Sequence, residues 1–168
     1  MNKKDVRIGK HVFYNSVGIC LVTDKIVMDD NEYFVLKTID IKNESTLYIP
    51  LNNEQLLDKI CDITTKNHIQ KCIDDSKALT MPWNENRRER QEQFNNILKT
   101  DDYLKILVMI KCLCSRNDEL KKDNKRLSTC DNDVLLKARF IIEQLYAFVH
   151  NIDILAAKEK IEKQFNMY

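Results

Sequence analysis

Residues 49–63 read IPLNNEQLLDKICDI, and the hydrophobic period changes inside them. Before Pro50 the apolar residues alternate as in strands. After Asn52 they fall at helical spacing, with Leu56, Leu57, Ile60 and Ile63 on one side. Pro50 has no N–H to give to a ladder, so it closes the strand before it. A β part is therefore expected over residues 1–52 and an α part over 53–168.

Toward the N-terminus the β signals continue. HVFYNSVGICLVTDKIV (11–27) is rich in β-branched and aromatic residues, with a turn signal at Asn15-Ser16. EYFVLKTI (32–39) and STLYIP (45–50) follow, separated by the polar pieces MDDN and DIKNE. Short strands joined tightly predict a small, strongly bent sheet or partial barrel. Both glycines, Gly9 and Gly18, lie in this part.

Toward the C-terminus the period stays helical. TKNHIQKCIDDSKAL (65–79) puts Ile69, Cys72 and Ile73 on one side. A third helix is predicted after Trp83, running to about Lys99, and a fourth from about Asp102 to Ser115. YLKILVMIKCLC within the fourth is apolar nearly all round, which predicts the buried central helix. RNDELKKDNKR (116–126) reads as a polar loop. Ser128-Thr129-Cys130-Asp131 resembles a capping box, with Asp in place of Glu, and opens a fifth helix. A last amphipathic helix is predicted over Ile152–Phe165. The fold class is thus α+β, a bent β-sheet followed by an all-α domain of five to six helices.

Apolar residues make up 43% of the chain and charged residues 32%, with a net charge of +1, a balance that argues against disorder. No run approaches the ~20 apolar residues of a membrane span. MNKKDVRIGK has no apolar signal region, so a cytoplasmic protein without membrane contact, and a monomer, are expected. The cysteines (Cys20, Cys61, Cys72, Cys112, Cys114, Cys130) form no C-x-x-C pair, and His11, His68 and His150 are scattered, so neither metal nor cofactor is expected. Glycine-rich phosphate cradles and nucleophile elbows are missing. The acidic pairs Asp29-Asp30, Asp74-Asp75 and Asp101-Asp102 do not face one cleft by spacing. An enzyme is not expected.

The excess positive charge sits in residues 81–127, with eleven basic against eight acidic side chains. The segment opens on TMPWNENRRER (80–90), which holds the lone tryptophan. On a helical wheel Trp83, Arg87, Arg90, Phe94, Ile97 and Leu98 share a stripe. Its apolar half must face the core, but burying Arg87 or Arg90 would need partners that the sequence does not reveal. Two readings stand side by side. In one, Trp83 is a staple at the helix start and the arginines lie on a solvated face paired with Glu85, Glu89 and Glu92. In the other, Trp83 is an exposed wedge flanked by phosphate-binding charge. A tight turn between the third and fourth helices makes them antiparallel. That returns the chain to the Trp83 end, bringing Arg116, Lys121, Lys122, Lys125 and Arg126. An apolar wedge among cations suits a DNA minor groove.

IGKHVFYNSVGICLVTDKI, EYFVLKT, LYIPLNN, PWNENRRER and RLSTCDNDVLLKARFIIEQL together resemble the CarD/CdnL/TRCF family of bacterial RNA-polymerase-binding transcription regulators. The resemblance implies a Tudor-like domain that binds the polymerase β-subunit lobe, followed by a helical domain facing promoter DNA. It also implies that a tryptophan wedges at the upstream minor-groove edge of the bubble and stabilises the open complex. Trp83 matches that wedge, Arg87, Arg88 and Arg90 the basic stretch after it, and Lys125 with Arg126 a second basic position. The family's usual Gly-Asp is Gly9-Lys10 here, and its proline after the strand tyrosine is Asn15. Where relatives carry polymerase-facing arginines, this chain has Met28 and Tyr48, so the polymerase contact is expected at Met28, Leu47, Tyr48 and Ile49. The resemblance thus implies a transcription regulator with little sequence preference. The rival is a protein-only adaptor that uses Trp83 as an interface hot spot.

Overall fold

The computed structural model describes residues 6–14, 17–39 and 44–165. The chain divides into two compact units, 1–63 and 64–168.

The first unit is a five-stranded antiparallel sheet. Its strands are β1 (His11–Tyr14), β2 (Gly18–Met28), β3 (Asn31–Thr38), β4 (Thr46–Pro50) and β5 (Ile60–Asp62), in the order β4-β3-β2-β1-β5. The expected turn at Asn15-Ser16 lies outside the described residues. The β2–β3 hairpin turns on Asp29 and Asp30, both at positive φ (47° and 60°). That is the two-residue turn whose twist matches the flanking strands, and aspartate tolerates it where most side chains would not. A register shift between Val22 and Asp24 bends the sheet. Val12, Tyr14, Cys20, Val22, Leu36, Ile49 and Ile60 form the core of its inner face.

β5 departs from the sequence reading. The helical period at 53–63 yields only one turn, α1 (Glu54–Leu57), capped by the Asn53 side chain. Beyond it, Ile60 is 1% exposed within the sheet core and pairs with Tyr14 of β1. Leu56 and Leu57 pack against the same cluster. α1 thus carries the chain from one edge strand, β4, to the other, β5. The two compact units accordingly meet between Ile63 and Thr64, later than the 52/53 border expected from the period.

The second unit comprises α2 (Lys66–Ala78), α3 (Arg87–Leu98), α4 (Tyr103–Lys122), α5 (Thr129–His150) and α6 (Ile154–Phe165). α4 is the central helix, as its composition predicts: Ile106, Leu107, Met109 and Leu113 are fully buried. It packs against α2, α3 and α5, and α6 lies on α5. Lys111 of α4 donates from Nζ to the carbonyls of Ser76, Lys77 and Leu79 at 2.6–2.9 Å, satisfying the C-terminal end of α2.

α4 runs to Lys122, so RNDELKK is helix rather than loop. The ion pairs Arg116–Glu119 and Asp118–Lys121, each three residues apart, support the extra turns. Asn124 stops the helix at φ 57°. Its N–H donates to the Lys121 carbonyl, and the Lys125 N–H donates to the Leu120 carbonyl. This pair of bonds is a Schellman ending. Asn151 ends α5 the same way. Asparagine takes the left-handed position that glycine usually fills. Among the described residues no single helix is long and apolar enough to cross a membrane.

The fifth strand predicts a cost for trimming its core residue. Ile60→Ala should destabilise the full chain by about 2–5 kcal/mol in urea unfolding, as for a buried aliphatic. A change within about 0.5 kcal/mol, typical of a surface site, would contradict the sheet pairing.

Candidate nucleic-acid interface

The end of the helical unit that begins α3 is built around one buried ion pair. Arg90 is 6% exposed and Asp131 2% exposed. Arg90 donates from Nε and Nη2 to the two carboxylate oxygens of Asp131 at 3.1 and 3.0 Å, a two-pronged contact between α3 and the first turn of α5. Its Nη1 donates to the Asn84 carbonyl at 2.6 Å. Asp131 also accepts from Gln91 at 2.7 Å and from the Ser128 hydroxyl at 2.6 Å. Burial by itself would raise the Asp131 carboxyl pKa. The hydrogen bonds from Arg90, Ser128 and Gln91 outweigh it and hold the group below the usual carboxylate value.

The loop carrying Trp83 is tied down at its other side. Asn86 caps α3 by accepting from the backbone N–H groups of Arg88 and Glu89. The Glu89 carboxylate in turn accepts from the side-chain amides of Asn84 and Asn86 at 3.1 and 2.9 Å. Trp83 precedes the helix and is half-buried. The Arg90 guanidinium carbon lies 4.2 Å from its ring centroid, and Phe94 meets it edge-on at 6.3 Å. Arg116 of α4 lies at 5.3 Å, as the antiparallel return of α4 to this end requires. A crevice of about 200 Å³ runs beside the indole, lined by Met81, Val108, Lys111, Ser115 and Arg116 among others.

Trp83 is therefore neither fully exposed nor fully buried. Its stripe partner Arg90, expected from the resemblance to face DNA, is buried against Asp131, and its donors are engaged inside the protein. The partner that the sequence does not reveal lies 41 positions away, in the motif read as a capping box. Ser128 does cap α5, accepting from Asp131 N–H, but the Asp131 carboxylate turns to Arg90 and Gln91. Arg87 and Arg88 are exposed, and Arg87 reaches α5 by donating to Cys130 Sγ at 3.2 Å. Lys125 and Arg126 are exposed on the connection that leads to Ser128. Wheel arithmetic misses Arg116, which stacks near the indole; only the return of α4 places it there.

In the sheet unit, β4 is an edge strand. Leu47 and Ile49 point to the core, Ile49 at 3% exposure, while Tyr48 points outward at 51%. Ile49, expected among the polymerase contacts, is thus a core residue of the sheet. Leu51 N–H bonds Glu32 and Thr38 N–H bonds Ser45, so by alternation the main-chain groups of Thr46 and Tyr48 face away from β3. Met28 is 40% exposed at the end of the β2–β3 hairpin, beside Val27 at 68%.

The ion pair carries two measurable consequences. Asp131→Ala leaves the Arg90 charge buried and uncompensated, so unfolding should show a loss of about 3–5 kcal/mol. A loss below about 1 kcal/mol would mean the pair is dispensable. Because the folded Asp131 pKa is depressed, the stabilisation is complete above the unfolded aspartate value of about 3.9 and is lost as pH falls below it, through the folded value. The wild type should therefore lose more stability across that acid window than Asp131→Asn does; equal losses would contradict the assignment.

Residues 6–61 match the family model of the CarD-like/TRCF RID domain. No curated protein matches the chain.

Proposed function

We propose, from the premise that residues 6–61 form a CarD-like/TRCF RNA-polymerase-interacting domain, that the chain regulates transcription by holding its helical unit against promoter DNA. The domain family is one of non-catalytic polymerase-binding modules. The reading extends this to docking on the β-subunit lobe of bacterial RNA polymerase. The open β4 edge supports it: Thr46 and Tyr48 offer main-chain groups to a partner strand and Tyr48 offers an exposed ring. Pro50 supplies no donor, which limits the added strand to the first part of β4.

The observation that carries the DNA half is the mounting of Trp83. A half-buried indole is held on a buried arginine, at an end where Arg87, Arg88, Lys125 and Arg126 stay exposed. An aromatic meant to press on a base step needs a rigid base beneath it, because a loosely held ring would lose contact energy in ordering itself. The exposed cations serve the phosphates, and minor-groove contact of this kind carries little base discrimination. The proposed outcome is a longer-lived open complex, with Trp83 at the upstream edge of the bubble. A monomer suffices for this geometry.

Three substitutions in the full chain separate the parts. Trp83→Ala should keep polymerase binding and shorten the lifetime of open promoter complexes. Stability alone is not diagnostic, since a half-buried indole loses only part of the about 3–5 kcal/mol of a buried one. Lys125→Ala should weaken DNA binding on all sequences and reduce the salt slope by about one ion. Tyr48→Glu should reduce capture of RNA polymerase. Normal open-complex lifetime with Trp83→Ala would remove the wedge, and a DNA affinity insensitive to salt would favour the protein-only adaptor.

A further inference from the structure

Two guanidinium groups flank Trp83, and they are held in opposite ways. Arg90, 6% exposed, is fixed by Asp131 and by the Asn84 carbonyl. Arg116 has a side chain 30% exposed, and its ion pairs are to carboxylates on the surface. Glu119 contacts it at 3.0 Å and Glu85 at 3.8 Å, and their side chains are 62% and 79% exposed. Such pairs are weak because solvent competes with each partner.

We propose that Arg116 is a further DNA-contacting residue, one that rests near the Trp83 ring in the free protein and transfers to a backbone phosphate when DNA binds. The inference rests on the DNA-facing reading of the helical unit. A phosphate offers an arginine the same two-pronged geometry as a carboxylate, with more charge and with release of condensed counterions. Glu85 and Glu119 thus compete with DNA for one guanidinium. Arg116 also lines the crevice beside the indole, so its departure opens that crevice and bares more of the ring. Arg90 stays behind as the floor. One arginine then positions the indole and the other exchanges partners, although both lie near the same ring.

The test uses the full chain and a fluorescently labelled DNA duplex with a single-stranded fork, titrated at several salt concentrations. Arg116→Ala should lower affinity and reduce the salt slope by about 0.9, the value for one phosphate contact. Arg116→Lys should keep the slope, and in the free protein Arg116→Ala should make Trp83 emission more easily quenched by acrylamide. Glu119→Gln should raise affinity about threefold, the scale of an exposed ion pair. In the Arg116→Ala background that gain should disappear, since no guanidinium remains to be freed. An equal gain in both backgrounds would mean simple repulsion of DNA by Glu119 and would overturn the proposal. So would a wild-type salt slope preserved in Arg116→Ala, while leaving the DNA-facing reading intact. A wild type whose binding shows no salt dependence would overturn both.

Discussion

The Arg90–Asp131 pair is the contact on which the Trp83-bearing end of the helical unit depends. Each group alone would cost several kcal/mol to take out of water, so neither is tolerable there without the other. Together, with Asn84, Gln91 and Ser128 meeting further hydrogen-bonding positions, they form a satisfied polar cluster between α3 and α5. Three features follow from one contact. The start of α5 is locked against α3, the loop before α3 is drawn in through the Asn84 carbonyl, and Trp83 gains a flat cation beneath its ring. An apolar pair of similar volume would stabilise equally well or better, but it would not reach the Asn84 carbonyl or present charge to an aromatic face.

Around this cluster the ordinary physics of helix packing applies. α4 supplies the apolar centre, and its last turns bring Arg116 to the Trp83 loop. The chain has only two glycines, both before β3, so α4 and α5 end on asparagine in the left-handed conformation. The stop at Asn124 sets where α4 releases the connection bearing Lys125 and Arg126. In the sheet unit the analogous constraint is Ile60. A single buried side chain makes β5 a strand and so closes the inner core on both sides of β1.

Much of this is legible in the residues. The β signals of 11–14 and 18–27, the apolar run of α4 and the helical period of α5 all survive in the structure because local pattern and tertiary burial agree. The Asp29-Asp30 hairpin is readable as a break, though not as a positive-φ turn. Residues 60–62 mislead because Ile60 and Ile63 fit a helical wheel with Leu56 and Leu57, and only the free edge of β1 decides otherwise. The end of α4 misleads because a run of charge resembles a loop, whereas paired charges three apart favour helix. The role of Arg90 is hidden for a different reason. Its partner stands 41 residues away in a motif with an adequate local explanation, and no periodicity links the two. The unit matched to the CarD-like/TRCF RID domain carries the polymerase side of the proposed function, while the helical side rests on the Trp83 cluster itself.

The most direct measurement of that cluster is the environment of Trp83 when Arg90 is replaced by lysine in the full chain. Lysine keeps the charge but lacks the planar fork, so it cannot hold both oxygens of Asp131 and the Asn84 carbonyl at once. Tryptophan emission reports on one residue, since Trp83 is the only one in the chain. If the pair mounts the indole, Arg90→Lys should shift the emission maximum to longer wavelength and weaken the near-ultraviolet circular dichroism, while the far-ultraviolet helix signal is retained. An unchanged emission maximum in a folded Arg90→Lys protein would contradict the claim that this ion pair positions Trp83.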